Sequence, residues 1–181
     1  TFFTYQALPS DENKTAKELY EKNIFSVIRQ VHFSTTTEDS VDIVIFINGL
    51  PVSTMELKNS LTKQSTDDAV EQYKSRDIRA PLFNFKRCHV HFAVDDNTVK
   101  MCTQLCGRSS WFLPFNKGNN RGAGNPVNPD GLKTDYLWKT IFSKREFSNI
   151  LENFIVLETM NDPKTGMISE KLIFPRYHHL Y

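Results

Sequence analysis

The dipeptide Asn48-Gly49 stands between two apolar segments, residues 41–47 and 51–58, and no other local signal restricts the backbone as tightly. A two-residue type I′ turn needs positive φ at both central positions, which Asn and Gly adopt most readily, so the dipeptide predicts a hairpin. Residues 41–47 are nearly all β-branched or aromatic and read as a strand covered on both faces. An antiparallel pair at the centre of the chain is the starting point for everything around it.

The flanking periodicities add helices and further strands. Thr15 and Glu18 stand in capping-box spacing before a helix over residues 15–22. Phe25, Val27, Val31 and Phe33 then predict a half-buried strand over residues 24–33, with a polar turn over residues 34–40. Ser65 and Thr66, followed by Asp67 and Asp68, mark the start of a helix over residues 65–76. Two strands are expected over residues 82–94 and 98–105, around an Asp95-Asp96-Asn97 turn. Five of the seven glycines fall between residues 107 and 131, predicting one long irregular loop. Helix signals return at residues 134–142 and again after Ser143 and Glu146, a second capping box, and a last hairpin joins residues 155–159 to 168–174. This order predicts a mixed α/β domain.

Composition limits the function. The 181 residues correspond to about one domain, and 39% hydrophobic with 24% charged residues can bury a core and exclude a disordered chain. Twenty-two Lys and Arg against 21 Asp and Glu give a net charge of +1, too little to hold nucleic acid by a broad positive field, so any DNA contact is local. Cys88, Cys102 and Cys106 have no CxxC spacing, which argues against a disulfide framework and a zinc cluster and leads us to expect a reducing, cytoplasmic compartment. The opening Thr1-Phe2-Phe3-Thr4-Tyr5 lacks an initiator Met and a signal pattern, so the chain reads as a piece of a longer one. No run approaches the roughly 18 apolar residues of a membrane span, and no membrane association is expected.

The chemistry concentrates around the central hairpin. Across the Asn48-Gly49 turn, Asp42 falls opposite the neighbourhood of Glu56, so two carboxylates converge at one end of the sheet. The period of two puts Glu56 and Lys58 on one face, with Leu57 expected to turn the other way into the core. Two close carboxylates raise each other's pKa unless a cation neutralises them. A hard divalent ion, Mg²⁺ first and Mn²⁺ as an acceptable substitute, would do so while keeping waters and room for a phosphate. Lys58 beside it would help orient or deprotonate an attacking water, a set suited to phosphodiester hydrolysis. The competing reading is a solvated face of alternating acid and base at a strand edge.

The stretch Val41-Asp42-Ile43-Val44-Ile45-Phe46-Ile47-Asn48-Gly49-Leu50-Pro51-Val52-Ser53-Thr54-Met55-Glu56-Leu57-Lys58-Asn59 resembles the nuclease motif of the R (restriction and motor) subunits of type I restriction enzymes, in the PD-(D/E)XK nuclease superfamily. Val41-Asp42 stands where many members have Pro-Asp. Asp68-Ala69-Val70-Glu71-Gln72-Tyr73-Lys74 is similar to the family's helix bearing a Gln-x-x-x-Tyr motif, with Arg76 at the tyrosine's place and Tyr73 adjacent to Gln72. Residues 173–180, Ile-Phe-Pro-Arg-Tyr-His-His-Leu, resemble the stretch leading into the ATP-dependent translocase.

The resemblance implies a restriction-endonuclease-like mixed sheet flanked by helices over residues 1–172, then the start of a junction at 173–181. It implies Asp42 and Glu56 as metal ligands, Lys58 as the catalytic lysine and Gln72 as its support. Double-stranded DNA is the implied substrate, methyltransferase and specificity subunits the implied partners, and ATP would act only through a translocase domain absent from this chain. The sequence holds neither a GxxxxGK[ST] loop nor a GxGxxG fingerprint. A non-catalytic module of the same subunit, docking the motor or gripping DNA, is the alternative.

Other residues are weaker candidates. Tyr73, Arg76, Arg108, Lys117 and Arg121 are possible DNA contacts, the last three lying among Trp111, Phe112 and Phe115, although a loop folded over its own aromatics fits equally. His89 and His91 share a strand face without a third ligand and read as structural, and a strand would point His178 and His179 apart.

Overall fold

The computed structural model describes residues 13–34 and 37–181. Residues 1–12, with the opening stretch read above, and residues 35–36 of the expected 34–40 turn lie outside the described residues. Among the described residues the chain builds an α/β fold around a mixed six-stranded sheet in the order β1-β2-β3-β4-β5-β6. The strands are β1 (Phe25–His32), β2 (Ser40–Ile47), β3 (Leu50–Leu57), β4 (Val90–Val94), β5 (Val99–Cys102) and β6 (Leu113–Pro114). All neighbours are antiparallel except β3 and β4, which run parallel because a helix, α2 (Thr66–Ser75), carries the chain back between them.

The turn between β2 and β3 has φ of 51° at Asn48 and 81° at Gly49, as a type I′ turn requires. Its Asn48 side chain accepts from the Ile24 amide at 2.8 Å and so also fixes the entry to β1. We expect Gly49→Ala to cost about 1 kcal/mol, the penalty of a Cβ in left-handed backbone, since nothing nearby would obstruct the methyl group. Urea unfolding of parent and variant would measure it.

The sheet is packed on both faces. On one, the π-helical turn Leu137–Ile141 and α3 (Lys144–Asn153) bring Leu137, Ile141, Phe147 and Ile150 against Ile45, Met55, Phe92 and Met101. On the other, α2 sets Ala69 and Val70 on Ala93, and Tyr73 joins Val44, Phe83 and Leu105. Burial on both faces explains why β2 and β4 read as near-continuous apolar runs. A second sheet holds only β7 (Val156–Asn161) and β8 (Ile168–Ile173), a ribbon exposed along nearly its whole length. No helix among the described residues is long and apolar enough to cross a membrane.

Several local expectations are corrected. The first helix, α1 (Lys14–Glu21), is capped by Asn13, whose side chain accepts from the Ala16 amide at 2.9 Å, so Thr15 lies inside its first turn. β1 is mostly exposed, as the edge of the sheet. Residues 82–89 are not strand: Pro81 opens a 3₁₀ turn, Pro81–Phe83, and pairing begins only at β4. The 134–142 helix reduces to the single π-helical turn, and His178 and His179 stack edge to face in the 3₁₀ turn Tyr177–His179. The 107–131 segment is less irregular than its composition implies. β6 pairs with β5, and the Asn125 side chain bonds the Lys117 amide and the Asn97 carbonyl.

Candidate active site

Register brings the central acids together. β2 and β3 pair Ile43 with Met55 and Val44 with Thr54, so the next pair outward is Asp42 and Glu56. Directly opposed residues of an antiparallel pair hold their Cβ atoms about 5 Å apart. Asp42 shares the parity of Val44, and Glu56 that of Thr54, whose hydroxyl bonds the Tyr73 hydroxyl at 2.8 Å, so both acids face α2.

Their environments differ. Glu56 is 0% exposed, and burial pushes its carboxyl up to about 7, with Arg76 opposing the rise, Asp42 adding to it and Lys58 opposing it. Asp42 is partly exposed and borders an open groove with Gln30 and Leu57. The Leu57 amide donates to Asp42 Oδ2 at 2.7 Å, and Gln30 Nε2 donates to Oδ1 at 3.0 Å. Leu57 itself is 40% exposed rather than in the core, because it is the last residue of β3 and reaches the rim of the sheet.

The helix supplies the remaining groups. Lys58 Nζ donates to Gln72 Oε1 at 2.6 Å, fixing the ammonium beside the acids, while the Lys58 amide bonds the Val94 carbonyl at 2.8 Å and extends the parallel pairing past Glu56. Four residues beyond Gln72, and therefore on the same side of the helix, Arg76 Nη2 donates to Glu56 Oε1 and to the Ser40 carbonyl, each at 2.6 Å. Its Nη1 lies 3.5 Å from Asp39 Oδ1, and its guanidinium rests over the Phe33 ring. Glu56 Oε2 is buried with no hydrogen-bond partner among the described residues.

Asp42, Glu56, Lys58 and Gln72 are thus gathered in one place. Tyr73 is corrected as a DNA contact: it is fully buried, and Thr54 takes its hydroxyl. Thr54 also meets His91 Nδ1 at 2.7 Å, and burial pushes that imidazole down to about 3, so His91 stays neutral and structural. Arg76 is likewise not free to receive a phosphate, since Glu56 holds it. Arg108, Lys117 and Arg121 are exposed in the chain that follows β5, Arg108 next to Gly107, which lies close to the Lys74 carbonyl of α2, and Lys117 Nζ sits over the Tyr136 ring. Sequence reading missed Gln30 and the Arg76–Glu56 pair; only the four-residue spacing from Gln72 pointed toward the latter.

The donor set suits a hard cation. No three His, Cys, Asp or Glu side chains are gathered for a metal among the described residues. Two carboxylates, one with an unpartnered buried oxygen, fit an ion such as Mg²⁺ that binds through one or two carboxylates and completes its shell with water and phosphate.

Comparison with known proteins gives the context. The family model for the type I restriction enzyme R protein N terminus matches residues 6–110, more than half of the chain and all of the site. A protein of Methanocaldococcus jannaschii, named provisionally as a type I restriction enzyme endonuclease subunit, is 26% identical over 163 residues. That alignment covers 87% of this chain and 14% of the relative, so the chain spans a small part of the relative's length.

Proposed function

The chain belongs to the family of type I restriction enzyme R protein N termini, and from that premise we propose that it is a Mg²⁺-dependent endonuclease module that hydrolyses phosphodiester bonds of double-stranded DNA. The observation that carries this reading is the pairing of Asp42 with Glu56, whose buried Oε2 has no other partner, beside Lys58. Asp42 and Glu56 would hold the ion, which when bound lowers the pKa of a water and offsets charge on the phosphoryl oxygens. Gln72 fixes Lys58, and the ammonium would orient the attacking water and stabilise the charge that builds on the phosphate. Arg76 holds Glu56 Oε1 and leaves Oε2 as the free donor. The longer relative, named as an endonuclease subunit, supports reading this module as one part of a larger subunit; in our proposal that subunit works with methyltransferase and specificity subunits in the cytoplasm, and ATP would be used only by a translocase domain.

A second reading has one observation in its favour. Because Arg76 already neutralises Glu56, the two acids could stand together without a metal in a module that only docks or grips DNA. Calorimetric titration with Mg²⁺ and Mn²⁺ separates the two. The parent chain should bind one ion, and Glu56→Ala should weaken binding at least tenfold; no binding by the parent, or equal binding by both, would favour the second reading.

A further inference from the structure

Gln30 is a non-glycine residue at φ 52° in the middle of the edge strand β1. The pairs on either side, Arg29 with Ile43 and Val31 with Val41, place it across from Asp42. Left-handed backbone inside a strand is unfavourable for a side chain that has no local reason to adopt it, and such kinks persist where they re-aim a group at a site. Here the kinked residue's amide is used at both ends. Nε2 donates to Asp42 Oδ1 at 3.0 Å, and Oε1 accepts from Ser40 Oγ at 2.9 Å. The Ser40 carbonyl in turn accepts from Arg76 Nη2, which also donates to Glu56 Oε1. One chain of hydrogen bonds therefore runs from Asp42 through Gln30, Ser40 and Arg76 to Glu56, and it engages one oxygen of each acid.

We infer that Gln30 is a positioning residue, held in left-handed backbone so that its amide sets the orientation of the Asp42 carboxylate relative to Glu56. This rests on the proposed metal site and extends it. A kink that served only to bend the sheet edge would need no side chain, and glycine would form it with less strain. Stability and metal affinity should then respond to substitution in opposite directions.

The test is to melt the metal-free parent, Gln30→Gly and Gln30→Asn chains and to titrate each with Mn²⁺ by calorimetry. Gln30→Gly is expected to melt at the parent's temperature or up to about 3 °C above it, and to bind Mn²⁺ about tenfold more weakly, as loss of a partner that orients a ligand does. Gln30→Asn tolerates the same backbone but has one methylene less to reach Asp42, and it should bind as weakly as Gln30→Gly while folding like the parent. Parent-like affinity in both variants would overturn the inference while leaving the metal site standing. Weaker binding accompanied by a lower melting temperature in Gln30→Gly would overturn it too, since the residue would then be structural. A parent chain that binds no Mn²⁺ would instead bring down the metal site and this inference with it.

Discussion

Lys58→Ala is expected to slow DNA cleavage by the complete restriction complex about 10²- to 10³-fold, the usual loss when one preorganised donor to transition-state charge is removed. Divalent-cation affinity should stay within a few-fold of the parent's, because Lys58 is not a metal ligand in the proposed site. The structure supports a positioned lysine rather than a surface one. Its ammonium is held by Gln72 at 2.6 Å, and its backbone is pinned to β4, two residues past Glu56. Gln72→Ala should have the same kind of effect but smaller, since it frees the ammonium without removing it. Single-turnover cleavage with the assembled subunits, paired with cation titration of the chain, checks both expectations. Cleavage unchanged in Lys58→Ala would show that Lys58 does not act on the reacting groups.

The second large effect concerns stability. Arg76→Met should destabilise the chain by about 3 kcal/mol at pH 8.5, because removing one partner of a buried ion pair leaves the other charge uncompensated. The loss depends on pH with a definite sign. The Glu56 carboxyl stands at about 7 in the folded chain, above its ordinary 4.5, so its protonated form is the one the fold favours. Its contribution to stability is full below about pH 4.5 and is lost as pH rises through 7, about 3 kcal/mol over that window. In the parent Arg76 limits that loss at high pH. Without it Glu56 must stay protonated or remain unpaired, so the deficit of Arg76→Met should shrink to about 1–2 kcal/mol at pH 5, where Glu56 is largely protonated and the loss is that of the guanidinium's hydrogen bonds and its packing on Phe33. Urea unfolding at both pH values measures this, and an equal deficit at pH 5 and 8.5 would mean that the Arg76 contacts with Ser40 and Phe33, not its charge on Glu56, hold the helix end in place.

How much of this was legible in the sequence varies with the range of the interaction. The hairpin and its turn were readable from Asn48-Gly49 and a period of two, which bring Asp42 to the neighbourhood of Glu56; the direct opposition was not, because the register set at the turn, Phe46 with Pro51, would pair Asp42 with Met55, and a bulge between Ile45 and Phe46 shifts it by one residue. The capped start of α2 at Ser65 was equally local, with Asp68 returning the capping bond. The environments were not readable. Nothing in Glu-Leu-Lys shows that Glu56 is buried while Leu57 is exposed, because that depends on where α2 and α3 stop covering the sheet. Tyr73 looked available as a DNA contact until Thr54 and Phe83 enclosed it. The left-handed Gln30 leaves no mark at all, since glutamine has no preference for that conformation and its reason lies 12 residues away in Asp42.

The short turn between β2 and β3 also bears on how the site comes into being. Asp42 and Glu56 meet through a loop of two residues, so bringing them together costs little chain entropy, and hairpins of this kind form in about 1–10 μs. Gln72 fixes Lys58, and Arg76 reaches Glu56, only after α2 has docked on the sheet, a later and less local event. During folding the two acids therefore face each other, with Lys58 nearby but not yet fixed, before Arg76 has arrived.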